Sequence, residues 1–289
     1  MRFRQTRKRT IGGTITSVLP SISLIPNNNV AYTRKARNIE VINEPVSHLV
    51  AHSPPSPCYN GNISSDNVTN EMVECISTNG KTIDQLQPSD NPYFILKYGP
   101  TGSGKGSKRV QDEIANLGIT KDNTITFEVD RIIESIKSFR SGSLKQKNKY
   151  RTAKSQENLD KVYKELTSLY FAVRKKSKAN NHQDTVMGKA IERKINIVLE
   201  TTGMSSIDWI TDRLAGTSYK IVVIYPVAPV EKIKERATTR AMSMKGVFRL
   251  PDPKFINMGV TKARGNIVID LFKLMEEGKI DKVILINNN

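Results

Sequence analysis

From Tyr93 onward, short apolar runs alternate with stretches in which apolar residues recur every three or four positions. The alternation predicts an α/β fold, a parallel five-stranded sheet with helices on both faces. The runs read as strands are residues 93–98, 124–129, 195–199, 219–225 and 282–286. Helices are expected over 107–117, stopped by Gly118, over 132–139, and over 230–240. Between the second and third strands lies a basic helical insertion, residues 141–194. Within it Leu159, Val162, Tyr163, Leu166, Leu169, Tyr170 and Val173 form a stripe at helical spacing, the mark of one buried face. Residues 242–253, with Gly246, Pro251 and Pro253, read as a mobile lid carrying Arg249.

Residues 1–90 carry no such period. They are rich in Ser, Asn, Pro and Thr and read as a largely disordered extension, with the domain occupying 91–289. Arg2, Arg4, Arg7, Lys8, Arg9, Arg34, Lys35 and Arg37 all precede the first acidic residue, Glu40. An organellar transit peptide has this composition. Gly12, Gly13, Pro20 and Pro26 interrupt any amphipathic helix, which favours a solvated basic arm.

Overall charge is +17, a balance that attracts phosphorylated or polyanionic partners without specifying a fold. Lys145, Lys147, Lys149, Arg151 and Lys154, and then Arg174, Lys175, Lys176 and Lys178, concentrate it in the insertion. Tyr150 is the one aromatic residue among them, too few for a base-stacking platform, so a solvated face is preferred to a nucleic-acid surface. Cys58 and Cys75 are too few for a disulfide framework, and no apolar run is long enough to span a bilayer. Together these predict a soluble chain in a reducing compartment, the cytoplasm.

The chemistry concentrates behind the first strand. Gly99, Pro100, Thr101, Gly102, Ser103, Gly104, Lys105, Gly106 and Ser107 make a glycine-rich turn ending in a lysine and a hydroxyl at a helix start. Glycines let successive backbone N–H groups turn inward around phosphate oxygens, the helix start adds its dipole, and Lys105 brings a mobile charge. Where G-x-x-x-x-G-K-[ST] places a hydroxyl for Mg²⁺ this chain has Gly106, and Ser107 offers the metal ligand one residue late. The resulting string resembles the loop of adenylate kinase and other nucleotide kinases.

Ligands of parallel sheets sit at strand carboxyl ends, and the ends of the first three strands carry candidate residues. Gly99 follows the first strand, Asp130 and Arg131 the second, Glu200 and Thr201 the third. Asp130 reads either as a catalytic base or as the N-cap of the next helix. Glu200 reads as a holder of a metal-bound water or as a polar strand end. Arg236 and Arg240, one helical turn apart, can clamp phosphate oxygens or pair with Glu231 and Glu235.

In order and placement, the loop, the Asp closing the second strand, the Glu-Thr closing the third and the arginine-bearing helix after the fourth resemble the zeta-toxin family of P-loop kinases. The resemblance spans roughly residues 93–289 and leaves the first ninety without a counterpart. It implies ATP and Mg²⁺ as cofactors, with Lys105 gripping phosphate and Asp130 accepting the proton of the substrate hydroxyl. It also implies that Glu200 holds the substrate, with Thr201 and Arg131 beside it, and that Arg236 and Arg240 reach the transferring phosphate. The expected reaction moves the γ-phosphate of ATP to a hydroxyl of a small phosphorylated or nucleotide-sugar-like acceptor. A nucleotide or polynucleotide kinase, and a nucleotide-binding module without transfer, remain as alternatives.

Overall fold

The computed structural model describes two short strands near the amino terminus and residues 68–288, apart from 204, 255 and 259–266. Elements run β1 (Asn29–Thr33), β2 (Glu40–Ile42), α1 (Asn70–Ser77), β3 (Tyr93–Tyr98), α2 (Lys108–Asn116), β4 (Thr124–Phe127) and α3 (Val129–Ser135). Then follow α4 (Lys137–Thr152), α5 (Gln156–Lys176), α6 (Ala179–Glu192), β5 (Asn196–Thr201), α7 (Asp208–Leu214), β6 (Lys220–Val227), α8 (Val230–Ser243), α9 (Ile267–Glu276) and β7 (Lys282–Asn287).

All five expected strands form, and they pair in parallel in the order β7-β6-β3-β5-β4. Alternation along each strand divides the core between the two faces. Phe94, Leu96, Ile197, Leu199, Ile221 and Val223 join one apolar cluster with the insertion helices, while Ile95, Val198, Val222, Ile224 and Ile284 join another with Val110 and Ile114 of α2. Because the chain runs from β3 out to β4, returns through β5 and only then crosses to β6, a crevice opens at the carboxyl ends of β3 and β5. At the other edge β1 pairs antiparallel with β7, and β2 with β1, so among the described residues the sheet has seven strands.

Helix α1 and the residues around it correct the reading of 1–90 for its last part, residues 68–90. Thr69 caps α1 by accepting from the Met72 amide, and Val73 and Ile76 are buried with Val68, Ile83 and Leu86 in the large core cluster. Glu74, itself buried, accepts from the Ile83 amide at 2.6 Å and pairs with Lys189 of α6 at 3.2 Å. His182 meets Asn70 at 2.8 Å and ties α6 to α1. The remainder of the extension, including Cys58 and the basic arm, lies outside the described residues. A chain beginning at Ser89 loses five core side chains, each costing about 2–5 kcal/mol when truncated, and is expected to lose its cooperative melting transition. Circular dichroism against the full chain measures it; an unchanged melt would show that α1 packs without contributing.

The insertion is a three-helix cover. Its predicted stripe is buried at Val162, Leu166 and Val173 of α5. Arg174, Lys175 and Lys176 occupy the last turn of that helix, where cations complement its dipole. The helix expected over 132–139 is broken at Ile136, whose extended backbone ends α3 and starts α4. Lys147 of α4 is buried: its Nζ donates to the carbonyls of Met242 and Met244 at 2.8 and 3.0 Å, and burial pushes its pKa down. Ser143 accepts from the Phe248 amide at 3.0 Å, and Val247, Phe248 and Leu250 are buried. The stretch expected to be a mobile lid is therefore anchored to α4 over residues 242–250. Among the described residues no helix is long and apolar enough to cross a membrane.

Candidate functional site

Gly99 follows β3 directly and its amide donates to Thr201 of β5 at 3.4 Å, so the loop starts where the two central strands end. Two internal bonds fold it, Ser103 N to Pro100 O at 3.1 Å and Ser107 N to Gly104 O at 2.9 Å. Gly102 and Gly104 have φ of +88° and +97°, where a side chain is strained, and both are also closely packed. A Cβ on Gly102 would lie 2.4 Å from the Ile233 carbonyl of α8, and one on Gly104 1.8 Å from the Asn288 amide. Asn288 donates to the Ser103 and Gly104 carbonyls at 2.9 and 3.2 Å, holding the loop from outside. Gly102→Ala meets backbone rather than a flexible chain end, so it is expected to lower the melting temperature by several degrees, measurable by calorimetry. Gly106 has nothing within 4 Å of a Cβ, so its lack of a hydroxyl is not forced by space.

Ser107 is the N-cap of α2, its hydroxyl accepting from the Val110 amide at 3.5 Å. Lys105 is buried and donates to the Gly99 and Pro100 carbonyls at 2.7 and 3.1 Å. Burial pushes its pKa down, with Glu200 opposing. The Glu200 carboxylate lies 3.7 Å from Lys105 and 2.8 Å from Lys97, which faces it in register from β3. Burial alone would raise the Glu200 pKa, but Lys97 and then Lys105 outweigh it and hold the group ionised. Glu128 goes the other way. Burial, with Glu200, Glu134 and Asp130 nearby, pushes it up to about 7. Arg240 stands 4.0 Å from it.

Because its folded value lies above the ordinary 4.5, Glu128 supports the fold fully below that pH and loses its contribution as pH rises through 7. Glu128→Gln is therefore expected to match the parent's stability near pH 4 and to exceed it at pH 8 by about 3 kcal/mol. A constant difference across a pH series of thermal melts would contradict this.

Asp130 is not a helix cap. Glu128 occupies the N-cap position of α3 without a side-chain cap bond, and Asp130 sits in the first turn. There it accepts from the Tyr170 hydroxyl at 2.5 Å and forms an ion pair with Arg249, which also reaches Glu134 at 3.1 Å. Burial would lower the Arg249 pKa, but Asp130 and Glu134 raise it further, so the cation is permanent. Burial, with Asp130 adding to it, likewise pushes the Tyr170 phenol well up.

A cavity of about 660 Å³ gathers Pro100, Thr101, Lys105, Asp130, Glu200, Thr201 and Arg240 from the expected site residues, with Arg249 added to them. Its other walls mix apolar and aromatic side chains, among them Tyr98, Leu166, Tyr170 and Trp209, with polar ones such as Asn180 and Asp184. Gly99, Gly102, Ser103, Gly104, Gly106 and Ser107 shape the loop beneath it. Arg131 is a correction: its guanidinium donates to Asn79 at 3.0 Å, away from the cavity, because the helical turn that brings Asp130 inward turns the next residue out. Arg236 does not line the cavity, but its Nη1 is buried and, like Nη2 of Arg240, without a hydrogen-bond partner among the described residues. Pairing of Arg236 with Glu231 or Glu235 is not what forms; Glu235 pairs with Lys232 at 3.5 Å.

Sequence reasoning missed Lys97, Glu128, Glu134 and Tyr170 and placed Arg249 only within a lid. The one available signal was Lys97, a charge inside the apolar run 93–98.

No family model matches the chain, and no curated protein matches it. A solved structure described as the "Molecular and structural characterization of the PezAT chromosomal toxin-antitoxin system of the human pathogen Streptococcus pneumoniae" superposes with a TM-score of 0.43 at 14% identity, over 69% of each chain. So distant a likeness carries no assignment of activity.

Proposed function

We propose that the protein is an ATP-dependent kinase that transfers the γ-phosphate to a hydroxyl of a small acceptor, phosphorylated or nucleotide-sugar-like. The observation that carries this reading is the convergence of Lys105, Asp130, Glu200, Arg240 and Arg249 on one cavity at the carboxyl ends of the parallel strands. Buried guanidinium nitrogens of Arg236 and Arg240 that lack partners are what a missing anion leaves behind, so the residues present fit the phosphates of a nucleotide.

Among the described residues no group of three or more His, Cys, Asp or Glu could hold a metal ion. Mg²⁺ would keep several waters and arrive with substrate phosphates; the Ser107 hydroxyl is the loop group that would be offered to it. When bound, the ion neutralises phosphate charge. Lys105 exchanges its bonds to the Gly99 and Pro100 carbonyls for phosphate oxygens. Asp130, oriented by Tyr170 and Arg249, takes the proton of the acceptor hydroxyl as its oxygen bonds to the γ-phosphorus and the bridge to ADP breaks. Glu200 and Thr201 face the acceptor, and Arg240 and Arg249 meet the charge that develops on the phosphoryl group.

The test incubates the full chain with labelled ATP and a panel of nucleotide sugars, nucleoside monophosphates and 5′-hydroxyl oligonucleotides. Label on a small hydroxyl compound is the expected result. Label on oligonucleotides alone assigns a polynucleotide kinase, and ATP binding without transfer to any acceptor assigns a binding module.

A further inference from the structure

Lys97 is the one charged residue of β3, and it is buried. Its neighbours on the same face, Ile95 and the facing Val198, belong to the apolar cluster under α2, so an aliphatic residue would suit position 97 as well as a lysine. A buried ion pair contributes little to stability compared with well-packed apolar residues. What Lys97 does instead is set by its partner. Glu200 has two cations within reach, and Lys97 takes the close position at 2.8 Å while Lys105 stands off at 3.7 Å. Arg240 from α8 and Glu128 after β4 are the other charged groups that act on Glu200.

We infer that Lys97 is a positioning residue that draws Glu200 away from Lys105, leaving the loop lysine free to take the phosphates of a nucleotide. Without it the Glu200 carboxylate has Lys105 as its nearest cation and closes on it. The ammonium that should exchange onto phosphate is then held in a buried salt bridge. The inference rests on the role proposed above for Lys105 in phosphate binding, but not on transfer to any acceptor.

A double-mutant cycle decides it, read as the dissociation constant of MgATP by calorimetry on the full chain: parent, Lys97→Met, Glu200→Gln and the pair together. Lys97→Met is expected to weaken MgATP by roughly tenfold when Glu200 is present, the scale of one close charge pair at a partly screened site. In the Glu200→Gln background the same substitution is expected to cost nothing, since no carboxylate remains to capture Lys105. Lys97→Met should melt within a few degrees of the parent, because Lys105 remains to pair with Glu200 and no buried carboxylate is left alone. Lys97→Gln is the second uncharged variant should the methionine impair folding, and Lys97→Arg, which keeps a cation against Glu200, should hold parent affinity. An equal loss in both backgrounds would mean that Lys97 acts only as one more positive charge near the phosphates, and the inference fails. It fails equally if Lys97→Met binds MgATP as the parent does. A parent that binds MgATP but transfers nothing sinks the kinase reading while leaving the cycle decisive; a parent that binds no MgATP overturns both.

Discussion

Lys105→Ala is expected to abolish phosphoryl transfer and to weaken MgATP by roughly 100-fold, the scale of a lost charge-assisted contact to phosphate in a buried site. The melting temperature should stay within a few degrees of the parent. Lys105 contributes hydrogen bonds to the carbonyls of Gly99 and Pro100 and a long ion pair to Glu200, not apolar packing. Its removal leaves Glu200 bonded to Lys97 at 2.8 Å, so no buried carboxylate is stranded without a cation. The loop keeps its shape, because that is set by Asn288 on the outer carbonyls and by the close approach of α8 at Gly102. Calorimetric titration with MgATP and transfer of labelled phosphate measure the two effects separately. Parent affinity and parent turnover in the variant would remove the phosphate-loop assignment itself.

Asp130→Asn should keep MgATP and acceptor binding while transfer falls by about two orders of magnitude or more, the range for a lost general base. The substitution preserves shape and one acceptor oxygen for the Tyr170 hydroxyl, but removes the negative charge opposite Arg249. Arg249 retains Glu134 at 3.1 Å, so the cation is not left alone and a stability loss of only a few degrees is expected. The helix start is unaffected, since Glu128 and not Asp130 occupies the cap position. Single-turnover rates with saturating acceptor, alongside thermal melts, separate chemistry from folding. If the variant turns over at the parent rate, Asp130 serves only to hold Arg249 in place, and Glu200, facing the same cavity, becomes the candidate partner of the acceptor hydroxyl.

What the sequence determined by itself was local. Five buried strands are legible because each is a short β-branched and aromatic run bounded by turn residues, a pattern that does not depend on distant partners. The glycine-rich loop is legible for the same reason: the glycines, Lys105 and Ser107 lie close together, and the strand before them and the helix after them are readable on their own. Placement of Asp130 and Glu200 at strand ends follows from counting along the chain.

Only the tertiary structure decided the rest. Val68, Val73, Ile76, Ile83 and Leu86 are scattered through a polar stretch, and an eight-residue helix has no period strong enough to announce itself; α6 and the sheet supply the surface that buries it. Arg131 and Asp130 are adjacent, and which one faces the cavity depends on where α3 begins, a boundary that shifted when β4 ended at Phe127. Arg249 lies 119 residues from Asp130 and is brought to it by the anchoring of residues 242–250 on α4. The pairing of Lys97 with Glu200 is a matter of strand register, since parallel strands far apart in sequence align their side chains only once the sheet exists. Motif residues were therefore readable from local chemistry, whereas the charges that set their ionisation and reach come from long-range packing, which no local pattern encodes.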